Sequence, residues 1–440
     1  MTTPSSYTDP PTDPLPEKPA STLSAEKQSE LESSGGNTPT SELTFPDGGF
    51  RAWLVAAGAG CVLFSTMGYS NSFGIFQAYY MLHQLQDETP DNISWIMSVQ
   101  MCSMFLTGAV AGPLFDRYGA KIIRPAAVAY IFAIMMTSLC KEYYQFLLAQ
   151  GFLTGISCGM IMVPAMSALG HYFDKNRGSA MGIAMAGSSI GAVVFPSIIS
   201  KLLNDTDLGF GWTFRIGGFI VLGPLLFAII VVSSRLPPRK SKFFLPAAFK
   251  SPKYVFLIAA NFFLYMGMFI PLIYLPIYGI EHGVSEILSS YLVAIVNGAS
   301  IFGRILPGIL GDKYGRLNLL GAASLGTGIM CFCWIKATST AGIIVFAVCF
   351  GFVSGAIISG GSIALTICAD DPREIGTYMG QGLAIASLAT LVGPPAVGAM
   401  LRTYHGYQEI SIFCGVLTMA GVLCVIGAKK DTKEGIFGMV

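Results

Sequence analysis

Long blocks of apolar residues, separated by short polar gaps, follow one another along this chain. Most blocks hold roughly 20 residues or more, the length that an α-helix needs to cross a hydrocarbon core of about 30 Å. Twelve spans are predicted from this pattern, at about 52–80, 91–115, 120–140, 144–170, 177–200, 212–234, 254–278, 285–311, 317–336, 341–367, 374–402 and 408–428. The pattern therefore predicts an all-α polytopic membrane protein.

The polar gaps divide the chain into five predicted regions. These are a cytoplasmic tail at 1–45, a six-helix half at 46–234, a cytoplasmic linker at 235–253, a second six-helix half at 254–428 and a cytoplasmic tail at 429–440. The first tail is rich in Pro, Ser and Thr, is acidic and has no apolar run. Such a segment buries too little surface to offset its ordering entropy, so we predict that it is disordered.

Two short motifs recur at nearly one spacing. The stretch beginning at Gly112 reads G-P-L-F-D-R-Y-G, and a close echo, G-I-L-G-D-K-Y-G, begins 196 residues later at Gly308. A second pair, G-S-A-M-G from Gly178 and G-T-Y-M-G from Gly376, is 198 residues apart. Internal repetition of this kind is typical of secondary transporters. We therefore predict two pseudo-symmetric six-helix halves.

Composition supports a membrane protein and excludes several other classes. The chain is 53% hydrophobic and only 12% charged, against about 25% charged residues in soluble domains. A net charge of +1 gives no basic face for nucleic acid. The ten cysteines have no metal-ligand spacing and the four histidines are dispersed at span ends, so neither a metal, a cofactor nor an enzymatic site is predicted. A phosphate-binding loop for ATP is also absent from the sequence.

The basic residues predict the orientation of the spans. Seventeen lysines and arginines fall on the side of the two termini and four on the other, which places both termini in the cytoplasm. The sequons at Asn92 and Asn204 then lie outside and are candidate glycosylation sites. Each is close to the membrane, and the alternative is that it stays unmodified.

The repeated motifs are candidate gating elements. Gly119 and Gly315 permit a tight turn with positive φ, and Asp116 and Asp312 can bond or pair with groups at a neighbouring helix end. Contacts that form in one transport conformation and break in the other would make a gate, whereas the alternative is a solvated turn. The full candidate gating set is Gly112, Asp116, Arg117, Gly119, Lys175, Arg177, Asp312, Lys313, Gly315 and Arg316.

Arg304 is the leading candidate for substrate binding. It lies about two turns into the eighth span, where a charge costs about 2.5–3.5 kcal/mol on insertion scales and usually faces a water-filled path. Its planar fork would suit a carboxylate, and the alternative is snorkelling to the interface. Other polar residues within spans either line the same cavity or bond a neighbouring helix: Asn71, Gln100, Asn261, Asn297 and Gln381.

The paired loops resemble the signature of the major facilitator superfamily. The opening motif at 46–53, P-D-G-G-F-R-A-W, and the fifth-span motif at 172–191 are similar to its monocarboxylate-transporter branch, and the run at 71–76 to fungal members. Two departures stand out. The arginine of that branch matches Arg304, but its aspartate one turn earlier falls on Ser300, and its first-helix lysine falls near Asn71.

The resemblance implies a secondary transporter that moves a small organic anion or carboxylate-bearing metabolite by alternating access, with the proton as a candidate coupling ion. An exporter of a secondary metabolite is the alternative, and a non-transporting metabolite sensor is a remote one. The expected partners are the small-molecule substrate and the lipid bilayer, without nucleic acid. The expected location is the plasma membrane, with the vacuolar membrane as the alternative.

Overall fold

The chain folds into a bundle of long helices. The computed structural model describes residues 45–237, 244–404, 406–432, 434, 435 and 438, and all regular structure in these ranges is helical. Eleven stretches of the described residues are long and apolar enough to cross a membrane. The longest, Asn92–Thr137, holds two predicted spans, separated by the turn at Gly119. The predicted all-α fold of twelve membrane helices is thereby confirmed.

We number these helices α1 to α12 in chain order. The first six are Phe50–Leu82 (α1), Pro90–Leu106 with Gly108–Tyr118 (α2), Ile123–Thr137 (α3), Tyr143–Leu169 (α4), Arg177–Asn204 (α5) and Gly209–Val231 (α6). The last six are Pro252–Glu281 (α7), Glu286–Tyr314 (α8), Arg316–Cys333 (α9), Thr340–Thr366 (α10), Ile375–Tyr404 (α11) and Gln408–Lys430 (α12). We call α1–α6 the N half and α7–α12 the C half.

Some predictions fall outside the described residues. The cytoplasmic tail at 1–45 and its predicted disorder are among them, apart from Phe45, and so is the middle of the linker, residues 238–243. The part of the linker that is described includes a short 3₁₀ turn, Pro246–Lys250, just before α7. The proposed division into five regions stays a prediction.

Two helices of the N half are interrupted by wide, π-type turns. They lie at Phe64–Gly68 in α1 and Leu147–Leu153 in α4, and such turns often occur at functional sites. A π-type turn releases backbone carbonyls from the regular ladder. The Tyr130 hydroxyl donates to the carbonyl of Ser65 at 2.8 Å, which satisfies one of them in the absence of water.

The two halves approach most closely through glycines at the end of the bundle that carries the repeated loops, which we call the motif end. A Cβ atom added at Gly112 of α2 would overlap the backbone carbonyl of Gly376 in α11. One added at Gly178 of α5 would lie 2.6 Å from the carbonyl oxygen of Gly308 in α8. The glycines of the sequence repeats therefore lie at the interface between the halves.

Candidate functional site

Two aspartates join the halves at the motif end. Asp116 in α2 accepts from the backbone N–H groups of Gly376 at 3.1 Å and Thr377 at 2.7 Å, and from the Thr377 hydroxyl at 2.6 Å. Asp312 in α8 accepts from the N–H groups of Gly178 at 2.8 Å and Ser179 at 2.7 Å, and from the Ser179 hydroxyl at 2.7 Å. We call these two sets of contacts the crossed caps.

Each aspartate stabilises the first turn of a helix in the opposite half. A helix N-terminus has N–H groups without intrahelical partners and a partial positive charge, and a carboxylate satisfies both. Helices α2, α8 and α10 are capped by the side chains of the preceding Thr89, Ser285 and Ser339. The residue before α5, Asn176, makes no such bond. The side-chain cap of α5 thus exists only while the halves are together, and the N–H groups of Gly376 and Thr377 in α11 likewise lose Asp116 when the halves separate.

Arg316 extends the contact around Asp312. Its Nε atom lies 3.0 Å from the Asp312 carboxylate, and its Nη2 atom donates to the carbonyls of Asp174 at 2.5 Å and Lys175 at 3.1 Å. The same loop is held from the other side by Asp47, whose carboxylate accepts from the N–H groups of Asp174 at 2.7 Å and Lys175 at 2.8 Å. The loop before α5 is therefore held between Asp47 on one side and the C half on the other.

The other basic residues of the candidate gating set make local contacts. Arg177, the first residue of α5, is buried and pairs with Asp174 of the preceding loop at 3.1 Å. Arg117 and Lys313 lie over the rings of the tyrosines that follow them. Gly119 and Gly315 adopt φ values of 68° and 96°, which confirms the predicted turns. Among the candidate residues, Gly112, Asp116, Asp312 and Arg316 reach across to the opposite half, and the carbonyl of Lys175 accepts from Arg316 there.

Arg304 lies one helical turn deeper than the glycines of the motif end and also crosses to the N half. Its side chain is buried, and Nη1 donates to the carbonyl of Met185 at 2.8 Å and to the Ser188 hydroxyl, both in α5. Its Nε atom has no hydrogen-bond partner among the described residues. At the repeat offset of 196 the equivalent position is Gly108. Arg304 therefore adds a buried cation that breaks the symmetry of the two halves.

Two polar residues of α7 lie on the C-half side of this region. Tyr265 of α7 is close enough to interact electrostatically with Arg304 and lies near Ser362. Asn261, one turn earlier, donates to the carbonyls of Leu257 at 3.0 Å and Gly361 at 3.4 Å, and its Oδ1 atom has no partner in the described part of the chain. These groups give the C half a buried cation with hydrogen-bonding side chains beside it.

A second polar cluster lies inside the N half. Gln100 donates to the Ser70 hydroxyl at 2.9 Å, and the Tyr80 hydroxyl donates to Gln150 at 2.7 Å. Gln100, Ser70, Gln150 and Tyr69 line a small cavity with room for about one water molecule. The cluster adjoins the π-type turns of α1 and α4.

The predicted substrate residues therefore lie in different surroundings. Arg304 and Asn261 belong to the C-half cluster and Gln100 to the N-half cluster. Asn71 and Asn297 donate to carbonyls of their own helices, those of Met67 at 2.7 Å and Val293 at 2.9 Å. The contacts shown in this structure do not gather the five into one site, and their role in binding stays a prediction.

The candidate glycosylation sites lie at the opposite end of the bundle from the motif end. Asn92 is in the first turn of α2 and bonds Glu88 at 2.8 Å. Asn204 is the last residue of α5 and bonds Ser200 at 3.3 Å. Their modification stays a prediction.

Sequence reasoning missed the partners that complete these contacts, among them Asp47, Ser179, Ser188 and Thr377. A signal for two of them is present. Ser179 and Thr377 follow the first glycine of the second repeated pair, and each is bonded by the aspartate of the first pair in the opposite half. Two repeats in one chain indicate two equivalent contacts, but the sequence does not show that they cross.

Replacing either cap aspartate by asparagine is expected to weaken closure of the motif end. Asp116→Asn and Asp312→Asn each remove a charge facing N–H donors, and a hydrogen bond involving a charged group contributes about 1.5–3 kcal/mol. We expect faster amide exchange at the first turn of α11 in Asp116→Asn and of α5 in Asp312→Asn, measured by mass spectrometry. Asp431→Asn, which loses a carboxylate bond to the N–H of Lys253 at the start of α7 in its own half, is the matched control, and equal effects of all three variants at α5 and α11 would contradict the crossed-cap account.

Comparison with known proteins identifies a family and solved structures that share this architecture. The pattern of the Major Facilitator Superfamily matches residues 58–382. The human organic anion transporter MFSD10 (TETRAN) superposes with a TM-score of 0.66 at 14% identity, over 85% of this chain and 99% of that one. The E. coli fucose:proton symporter FucP does so with a TM-score of 0.66 at 14% identity, over 87% and 100%. At such identities the likeness concerns the fold alone.

Proteins found by sequence comparison have a much higher identity to this chain than those solved structures. The aspyridones efflux protein apdF of Emericella nidulans is 51% identical over 397 residues, which is 90% of this chain and 81% of that protein. The agnestins efflux protein AgnL12 of Paecilomyces divaricatus is 37% identical over 430 residues, 96% of this chain and 95% of the relative. The resemblance seen in the sequence thus holds at the level of the superfamily, and these relatives carry the names of efflux proteins.

Proposed function

Since this chain belongs to the major facilitator superfamily, we propose that it exports a secondary metabolite by alternating access between its two halves. It is a multi-pass membrane transporter and not an enzyme. The observation that supports the mechanism is the pair of crossed caps, because both sets of hydrogen bonds require the halves to be together at the motif end. The motif end is then the inner gate, and the structure corresponds to its closed state.

The inner gate opens, in this proposal, when the halves rotate apart. Asp116 and Asp312 then leave the first turns of α11 and α5, and Arg316 leaves the loop at Asp174. All these groups are at the end of the bundle, where water replaces the lost partners. The asymmetry of basic residues between the two sides supports a cytoplasmic position for this end and for both termini.

Export is favoured over uptake because the relatives described above carry the names of efflux proteins. The alternative is the uptake of a small monocarboxylate. Arg304 supports an acidic or strongly hydrogen-bond-accepting substrate in either case, because it is a buried cation with one nitrogen unpartnered among the described residues. Two departures argue against membership of the monocarboxylate branch: Ser300 stands where that branch has an aspartate, and its first-helix lysine falls near Asn71.

The driving ion and the membrane are further parts of the proposal. The proton is the candidate coupling ion, as in the symporters of this fold. The plasma membrane suits an exporter, and the vacuolar membrane would suit sequestration. Both locations leave the mechanism of the gate unchanged.

Inside-out plasma-membrane vesicles from yeast expressing this chain provide the test of export. We use aspyridones as the probe, because a relative at 51% identity is named for them, and pyruvate and lactate as the alternative cargo. We expect proton-gradient-dependent accumulation of aspyridones at several times the level of vesicles lacking the protein, and none of pyruvate. Accumulation of pyruvate or lactate alone would overturn the export proposal in favour of a carboxylate porter.

A further inference from the structure

His171 is a buried histidine at the motif end, just beyond the end of α4. Its side chain is only 4% exposed, and neither ring nitrogen has a hydrogen-bond partner among the described residues. The ring packs on Phe115 of α2, with ring centroids 5.2 Å apart. Buried polar groups normally have partners, and a charged imidazole without one would be costly. This position therefore accommodates the neutral ring.

The boundary between the halves runs beside this residue. A Cβ atom added to the preceding Gly170 would lie 2.6 Å from the Cδ1 atom of Ile375, the first residue of α11. The residue that follows Phe115 in α2 is Asp116, which caps α11. Separation of the halves at this end would thus remove one wall of the His171 site and admit water.

The charged groups that face His171 come from both halves. Arg177 at the start of α5 repels a proton on the ring, and Asp371, in the turn before α11, attracts one. Asp371 is itself bonded to Arg373 at 2.7 Å. Burial and Arg177 outweigh Asp371 and lower the pKa of His171 to about 4, whereas an exposed histidine has a pKa of about 6.5.

We propose that His171 is a proton-binding site of the inner gate, which takes up a cytoplasmic proton when the gate opens and must release it before the gate closes. A free ring nitrogen accepts the proton from water, and the imidazolium stays hydrated while the halves are apart. Acidification of the cytoplasm then holds the transporter in its cytoplasm-open, substrate-loading state. The inference rests on the gate of the proposed function and not on its substrate.

The size of the pH effect follows from the difference between the pKa values of His171 in the closed and open states. Neutral His171 is compatible with both states, so the closed gate keeps its full stability above pH 6.5 and loses it as pH falls below that value. With a pKa of about 4 in the closed state and about 6.5 in the open state, the ratio of open to closed gates rises roughly tenfold from pH 7.5 to pH 5.5.

Hydrogen–deuterium exchange of the full-length protein in lipid nanodiscs measures this ratio without transport. The amides of 172–180 and 373–380 report on the inner gate, and each rate is divided by the intrinsic chemical rate at that pH. We expect roughly tenfold greater opening at pH 5.5 than at pH 7.5 in the wild type, and less than a twofold change in His171→Phe. His282→Gln, at the opposite end of the bundle, is the matched control and keeps the wild-type response.

A wild-type protein without the pH response, or a His171→Phe protein that keeps it, would overturn the proposal. If His171→Phe does not yield a monodisperse protein, nuclear magnetic resonance of ¹⁵N-histidine-labelled wild type replaces it, since the chain has only four histidines. A buried histidine signal that stays neutral down to pH 5 when the gate is closed supports the site. Titration of all four signals near pH 6.5 in the closed protein contradicts it. Because neither readout uses a substrate, failure of the export assay would leave this result intact.

Discussion

Gly112→Ala is expected to abolish transport while leaving the fold intact. The added Cβ atom would overlap the backbone carbonyl of Gly376, and neither backbone segment can move without shifting a whole helix. Overpacking of this kind costs roughly 1–3 kcal/mol. Because the strained contact lies between the halves, the protein escapes the strain by resting with the inner gate open. We expect transport to fall by more than tenfold in the vesicle assay, with little change in thermal stability.

Gly303→Ala is the matched control for this prediction. Its Cβ atom would overlap the carbonyl of Phe352, which is in the same half, so the protein cannot relieve the strain by opening the gate. We expect a lower melting temperature and no preference for the open state. Gly74→Ala, where an added Cβ meets nothing within 4 Å, should behave as the wild type. A Gly112→Ala protein that transports normally would contradict the close approach of α2 and α11.

Arg304→Gln is expected to abolish transport without lowering thermal stability. A buried charge without an acidic partner is costly, and replacing it by a neutral polar group is often neutral or stabilising. The guanidinium nevertheless supplies the bonds to Met185 and Ser188, and in our proposal to the substrate. A hydrogen bond to a charged group contributes about 1.5–3 kcal/mol, so we expect transport to fall roughly 10- to 150-fold.

Two further measurements decide between a role in binding and a role in closing the gate. Arg304→Lys keeps the charge and loses the planar fork, and we expect partial activity if charge attracts the substrate. Ser188→Ala removes only the hydroxyl partner in α5, and it should alter gate closure without changing apparent substrate affinity. A melting temperature of Arg304→Gln several degrees below wild type, with transport unchanged, would show that the arginine serves folding alone.

The hydrophobic pattern predicts the twelve helices because apolar length alone determines whether a segment can cross a bilayer. The positive φ at Gly119 and Gly315 also follows from local chemistry, since glycine before a new helix permits a turn that other residues disfavour. These features depend on residues close together in the chain. The order of amino acids is therefore sufficient to predict them.

Contacts between distant segments are not predictable in the same way. Asp116 is expected to meet a neighbouring helix end, but spacing along the chain does not show that this end begins at Gly376. Asn71 is a candidate for lining a cavity, whereas its amide bonds Met67 at the break in α1. His171 is one of four dispersed histidines in the sequence, and its burial between two halves leaves no mark in the residues around it.

The crossed caps make the interface between the halves reciprocal, as in a symmetric homodimer. In a two-fold symmetric pair, a residue on one subunit meets a site on its partner, and the same contact recurs in reverse. Here the carboxylate of each half meets the helix start of the other, with Thr377 on one side and Ser179 on the other. A single six-helix unit that carries both the aspartate and the matching helix start would satisfy both contacts by pairing with a copy of itself. Within one polypeptide the two halves can differ in sequence. Gly108 in the N half therefore corresponds to Arg304 in the C half.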